Sequence, residues 1–191
     1  TGVNGGVLVL VADDPSMHSS QNEQDSRFYA DFANIPVLEP SNQQEAYDMA
    51  YMGLELSETL KVPILIRVTT RLAHSRSGIV RKPVKPENTM HFLENLRQFI
   101  LLPAFARKSY NKLLEAQSLF SDIATKSSFN EVTYGTDKSL GIIACGIAYN
   151  YLMENYADGC PNTVFKLCHY PPPVEVINKL VDEHDELLIL E

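Results

Sequence analysis

Two stretches of the chain concentrate side chains that can do chemistry. The first runs from Asp13 to Arg27. It crowds Asp14, His18, Ser19, Ser20, Gln21, Glu23, Asp25 and Arg27 into a span with few residues suited to tight turns. The second, Thr69 to Arg76, carries Thr70, Arg71, His74, Ser75 and Arg76. A guanidinium such as that of Arg71 or Arg76 can grip a carboxylate through two parallel hydrogen bonds. An imidazole such as that of His74 can donate a proton near neutral pH. Hydroxyls and amides at Ser19, Ser20 and Gln21 add directional hydrogen bonds. These types suit a small anion, a carboxylate among them. Each taken singly also fits a solvated loop, and Arg76 reads as an ordinary surface cation.

Both clusters begin where an apolar run ends. Val7 to Ala12 reads as a buried strand in the middle of a parallel sheet. Pro63 to Thr69 reads as a second strand. If the sheet is parallel, both polar loops leave one rim, where open α/β sheets bind ligands. Ser20 and Glu23 have capping-box spacing, which predicts a helix from Gln21 to Ala33 with Phe28, Tyr29 and Phe32 on its buried face. The N-terminus of such a helix would welcome an anion.

Further along, Ile35–Leu38 reads as a short strand. Ser41 with Gln44 predicts the cap of a helix reaching Leu60, with Ala46, Met49, Ala50, Gly53, Leu54, Ser57 and Leu60 on its inner face. Prolines at 83, 86 and 103 make residues 78–108 an extended crossing segment with one short helix. A longer helix is expected from about Ser109 to Lys126, with Leu113, Ala116, Phe120 and Ile123 inward. A polar connector follows, from Asn130 to Lys138. The remainder is a βαβαβ pattern: strand Leu140–Cys145, a turn at Gly146, helix Ile147–Tyr156, strand Thr163–Cys168, helix Pro173–Glu183 and strand Leu187–Leu190. The expected class is α/β: a three-layer, mostly parallel sheet over residues 1–80, crossing helices over 81–138, and a smaller α/β domain over 139–191.

Composition narrows the function classes. The chain has 191 residues, 45% of them hydrophobic, and a net charge of −8. That supports a packed core. No basic stripe speaks for nucleic acid, and no run of about twenty apolar residues speaks for a membrane span. Cys145, Cys160 and Cys168 fit a reducing cytoplasm better than a disulfide framework. Cys160, Cys168 and His169 match no zinc spacing, and no four-cysteine ferredoxin run is present. Asp158-Gly159-Cys160 echoes part of a magnesium motif but lacks its flanking Gly and Asn pair. No dinucleotide fingerprint, P-loop or nucleophile elbow occurs. A chain that opens on a loop feeding a core strand, and closes on Leu187-Leu188-Ile189-Leu190-Glu191, is expected to be an internal piece of a larger polypeptide.

The string from Ala12 through Ala30 resembles the α subunits of indolepyruvate:ferredoxin oxidoreductases, thiamine-diphosphate enzymes of the 2-oxoacid:ferredoxin oxidoreductase superfamily. Gly2–Gly6, Ile35–Ser41, Leu56–Glu58, Val62–Arg67 and the Thr69–Arg76 segment, with its T-x-R-x-x-H-S pattern, continue the likeness in register over the first eighty residues. Tyr170–Pro173 fits a Y-P-x-P step further on. The resemblance implies a pyrimidine-domain-like α/β unit followed by a transketolase C-terminal-like domain that usually serves assembly. It implies oxidative decarboxylation of an aryl pyruvate to an acyl-coenzyme A, with ferredoxin as acceptor. It implies thiamine diphosphate, magnesium and iron–sulfur clusters, held by parts of the subunit other than this one, so the segment alone is expected to be inert. A β subunit and a second α subunit are the implied partners. Ser19, Ser20, Gln21, Arg71 and His74 are the expected substrate-side residues. Two alternatives remain: another 2-oxoacid oxidoreductase or decarboxylase on the same scaffold, and a non-catalytic subunit-assembly module.

Overall fold

A computed structural model of the chain describes residues 2–191. Its first part runs β1 (Leu8–Asp13), α1 (Arg27–Ala33), β2 (Val37–Leu38), α2 (Gln43–Leu60), β3 (Ile64–Thr69) and α3 (Thr70–His74). An extended segment with one 3-10 turn, Leu96–Phe99, leads to α4 (Pro103–Glu115) and α5 (Gln117–Thr125). Then come β4 (Glu131–Thr133), β5 (Asp137–Cys145), α6 (Ile147–Glu154), β6 (Asn162–Leu167), β7 (His169–Tyr170), α7 (Val174–Glu183) and β8 (Glu186–Leu190).

The strands form two four-stranded sheets, ordered β1-β3-β2-β7 and β4-β6-β5-β8. In the first, β1 and β2 both pair parallel to β3, and β7 adds antiparallel to β2. In the second, β6 and β8 flank β5 in parallel and β4 closes one edge antiparallel. The α/β class with mostly parallel pairing is thus present, in two sheets. Strand β4 joins the second sheet from within the segment read as a connector. Strand β7 crosses back from the second sheet to the first.

Alternation explains the packing. On β3, Ile64 and Ile66 face α2, where they pack with Met49 and Leu38. Leu65 faces the other side, with Val37 and Ala30. The second sheet buries Ile143, Cys145, Phe165 and Leu167 against α7, and Ile142, Ala144 and Val164 on its opposite face. Among the described residues no helix is long and apolar enough to cross a membrane.

Several local expectations are corrected. Strand β1 is an edge strand, not a central one, and Val9 and Leu10 are exposed. Helix α1 begins at Arg27, six residues later than Gln21, and Phe28, Tyr29 and Phe32 point outward at 74%, 71% and 88% exposure, leaving only Ala30 buried. The physical reason is competition. The Ser20 amide is spent on the Asp14 carboxylate, and Glu23 accepts from the Ser16 amide instead of closing a capping box. No anion site of the expected kind exists at this short helix, because Asp13 already takes the Ser26 amide at its entrance. Helix α2 is capped one residue late, by Asn42 accepting from the Glu45 amide while Glu45 accepts from Ser41. Leu54, expected inward, is largely exposed. Pro103 opens a helix instead of breaking one, as suits a residue with no amide to leave unbonded. The expected single helix from Ser109 is two, meeting at Ala116.

Two buried positions set testable limits on the fold. Gly146 has φ +48, and a Cβ there would lie 2.7 Å from Glu39 Cγ. Gly146→Ala therefore meets both backbone strain and a clash, and a loss of at least about 2 kcal/mol is expected in urea unfolding. His169 is 1% exposed and neither ring nitrogen has a partner among the described residues. Burial alone pushes its imidazole down to about 4 from 6.5. A folded value below the unfolded one means that the unfolded chain takes the proton first. Stability from this group is intact above pH 6.5 and is lost as pH falls toward 4, by about 3 kcal/mol in total. His169→Leu should remove that component, so that the wild-type and variant stability curves converge upward from pH 4 to 7.

Candidate functional site: a charged rim and a cavity at the strand ends

Strands β1, β2 and β3 deliver their carboxyl ends to one rim, and a buried ionic cluster forms there. Arg67 is 5% exposed. Its Nε donates to Asp13 Oδ2 at 2.5 Å, and its Nη1 pairs with Glu39 Oε1. Ser26 fixes the other side of Asp13, its hydroxyl donating to Oδ1 at 2.5 Å. Tyr170 donates its hydroxyl to Glu39 Oε2 at 2.7 Å. Arg27 extends the cluster outward, forking onto Asp25 at 2.8 and 2.6 Å and reaching Glu191 at 2.7 Å. Burial works to lower the Arg67 and Arg27 values, yet the carboxylates around them, Glu39 and Asp13 for Arg67 and Asp25 for Arg27, raise both. For Asp25 burial works upward, and the Arg27 hydrogen bonds win, holding it below the usual range.

Beside this cluster, Asp14 organises the first polar loop. It is 4% exposed. Its carboxylate accepts from the Thr70 hydroxyl at 2.7 Å, from the Ser19 and Ser20 amides at 2.6 Å each, and from the His18 amide at 3.0 Å. Those bonds, Thr70 foremost, hold Asp14 well below the ordinary carboxylate range despite its burial. Asp14 therefore bolts the first loop to the start of α3, which carries Arg71 and His74.

The two loops share a cavity of about 700 Å³. His18, Arg71, His74 and Ser75 line one side of it, and the entrance to α2 (Ser41 to Gln43) lines another. The third wall comes from α6 in the second sheet's half of the chain, through Ile147, Asn150, Tyr151 and Glu154. Asn150 pins that helix to the rim by donating to the Ser41 carbonyl at 2.8 Å. Of the residues singled out by sequence, Arg71 and His74 meet here. Ser19 and Ser20 turn their amides inward to Asp14, and neither they nor the exposed Gln21 line this cavity. His18 belongs to the polar string but not to the residues expected on the substrate side, and nothing in the α6 pattern sets its outer face apart from a surface. Arg67, Glu39, Tyr170 and Lys166 were read as strand or turn residues. Lys166, 8% exposed, pairs with Glu45 at the start of α2 and sits 4.9 Å from the Tyr149 ring.

These residues are a poor match for the cofactors the resemblance implies. Among the described residues no three His, Cys, Asp or Glu side chains converge as metal ligands. The three cysteines are free, and burial pushes the Cys145 and Cys168 thiols up, away from the thiolate a cluster needs. The buried acids Glu39 and Asp13 are consumed by Arg67 and Tyr170, and Asp14 by Thr70 and the loop amides.

Removing Arg67 strands two buried carboxylates. Arg67→Met is expected to cost about 3–5 kcal/mol in urea unfolding at pH 7. The penalty should shrink toward pH 4, as protonation relieves the orphaned acids. A pH-independent penalty would mean that Arg67 acts by packing alone.

Comparison with known proteins gives a consistent picture. No family model matches the chain. The whole chain is 41% identical over 199 residues to indolepyruvate oxidoreductase subunit IorA of Pyrococcus abyssi. It is 40% identical over 200 residues to the IorA subunit of Methanothermobacter marburgensis, and 40% over 197 residues to that of Archaeoglobus fulgidus. It spans 31–32% of the length of these relatives. Among solved structures, the 2-oxoglutarate:ferredoxin oxidoreductase of Magnetococcus marinus, with 2-oxoglutarate, coenzyme A and succinyl-coenzyme A bound, superposes with a TM-score of 0.61. That match covers 96% of this chain and 41% of the other at 15% identity, so it speaks to the fold. The likeness runs through every part of the chain, which spans about a third of the length of the IorA subunits it resembles.

Proposed function

We propose that this chain is the part of an indolepyruvate:ferredoxin oxidoreductase α subunit that supplies one wall of the 2-oxoacid site. The observation that carries the reading is the convergence of His18, Arg71 and His74 on one cavity at the carboxyl ends of parallel strands. Arg71 receives the carboxylate of the 2-oxoacid through its planar fork, and the ring N–H groups of the two histidines supply further hydrogen-bond donors. Ser19, Ser20 and Gln21 flank the entrance, on a loop whose shape Asp14 sets. The whole subunit decarboxylates an aryl pyruvate oxidatively to the acyl-coenzyme A and passes the electrons to ferredoxin. Thiamine diphosphate serves there as electron sink, with magnesium and iron–sulfur clusters, all held by other parts of the assembled enzyme. Residues 139–191 belong to the start of its second domain, and the enzyme works in the cytoplasm.

A second role is compatible with the first. The outward aromatic face of α1, Phe28, Tyr29 and Phe32, favours an interface with the β subunit or a second α subunit.

Losing a charge-assisted fork costs about 1.5–3 kcal/mol. Arg71→Leu in the assembled enzyme should therefore raise KM for 2-oxoacids about 10- to 100-fold. Steady-state kinetics would show it, and an unchanged KM would remove Arg71 from the site.

A further inference from the structure

The cavity has an unequal lining. Arg71, His18 and His74 line it from the two polar loops, and α6, a helix of the second sheet's half of the chain, lines it with a different set of side chains. Ile147, Tyr151 and Glu154 fall on a single face of that helix, at spacings of three and four. Asn150 on the same face is anchored to the α2 entrance by its bond to the Ser41 carbonyl, so the face stands at a fixed distance from the loops. Below it the helix is held by Gly146, whose bare α-carbon rests on Glu39 of the ionic cluster. Tyr151 is 46% exposed, a ring presented to the cavity side of the helix instead of being buried beneath it. Glu154 is exposed at the far end of the same wall.

We propose that this α6 face selects the 2-oxoacid side chain: an aromatic ring lies against Ile147 and Tyr151 while the carboxylate sits at Arg71, and Glu154 turns away a second carboxylate. The ligand class is an aryl 2-oxoacid carrying a single carboxylate. The inference rests on the reading of the cavity as a 2-oxoacid site. It gives the second half of the chain a share in substrate recognition, beyond the assembly role that the resemblance implies. The physics is differential. A short aliphatic 2-oxoacid held at Arg71 reaches little of α6, so the wall contributes to binding only when a ring is present. A dicarboxylate brings its second charge toward Glu154, and like charges at such range repel.

The test is steady-state kinetics of the assembled oxidoreductase with indolepyruvate, pyruvate and 2-oxoglutarate. For Tyr151→Ala, the kcat/KM ratio of indolepyruvate to pyruvate should fall about tenfold, with the loss in KM. Tyr151→Phe, which keeps the ring, should restore the ratio. Glu154→Gln should raise kcat/KM for 2-oxoglutarate relative to indolepyruvate. If Tyr151→Ala lowers all three substrates equally, or Tyr151→Phe fails to rescue, the wall does not select and the inference is overturned. Arg71→Leu in the same assay separates the two claims. If it weakens all three substrates while the Tyr151 variants leave the ratio fixed, only the α6 inference falls. If Arg71→Leu changes none, the reading of the cavity falls with it.

Discussion

A guanidinium placed in the interior of a parallel sheet must be met by anions, and this single demand shapes the end of the molecule where ligands would bind. Arg67 lies on an inner strand of the first sheet with almost no access to water. Its neighbours satisfy it from both sides. Asp13 comes from the last residue of β1, and Glu39 from the residue just after β2. The parallel registers, Val11 opposite Arg67 and Leu38 opposite Ile66, bring those carboxylates within reach of the guanidinium from either side. A slip of one residue would turn Arg67 to the α2 face and leave all three charges unmatched. The cluster thus specifies register at the rim as firmly as the apolar core does lower down, although burying charge is itself costly.

The same cluster ties the two halves of the chain together. Tyr170, on the strand that crosses back from the second sheet, completes Glu39. Lys166 on β6 reaches Glu45 at the entrance of α2. Asn130 holds the bend between β6 and β7, accepting from the Cys168 and His169 amides and donating to the His169 carbonyl. Because these links are polar and directional, α6 does not merely lie near the first sheet. It is set over the rim, which is why a helix from one half becomes a wall of the cavity made by the other. Buried polar bonds of this kind cost more to break than to form, so they fix geometry even where they add little net stability.

The fate of the first polar loop shows how tertiary demand overrides a local signal. Ser20 and Glu23 have the spacing of a helix cap, and an isolated peptide could use it. In the folded chain Asp14 lies buried at the end of β1 and needs donors, so it gathers the amides of His18, Ser19 and Ser20. A carboxylate with three such amides and the Thr70 hydroxyl outcompetes one turn of helix. The aromatic residues that would have made the inner face of a longer helix are turned outward as a consequence. The edge position of β1 has the same origin: an apolar run tells that a strand will form and have apolar neighbours, but not which of those neighbours are supplied by the described residues.

What the amino-acid order determined by itself was local and periodic. The apolar runs placed six of the eight strands to within a few residues, and the helical face of α2 was legible at Met49, Gly53 and Ser57 because 3.6-residue spacing leaves a mark. The two polar loops, with Arg71 and His74 among their residues, were legible because hydrophilic clusters directly after apolar runs are unusual. The two-residue strand β7 is too short to print a period at all. The ionic cluster was invisible for a different reason. Asp13, Glu39, Arg67 and Tyr170 are separated by 26 to 157 positions, and each alone looks like an ordinary polar residue at a strand end. Only the paired strands bring them within hydrogen-bond reach, and only their burial makes the pairing obligatory. The same holds for the cavity: its cationic side could be read along the chain, whereas its α6 wall exists because strands distant in sequence close up in space.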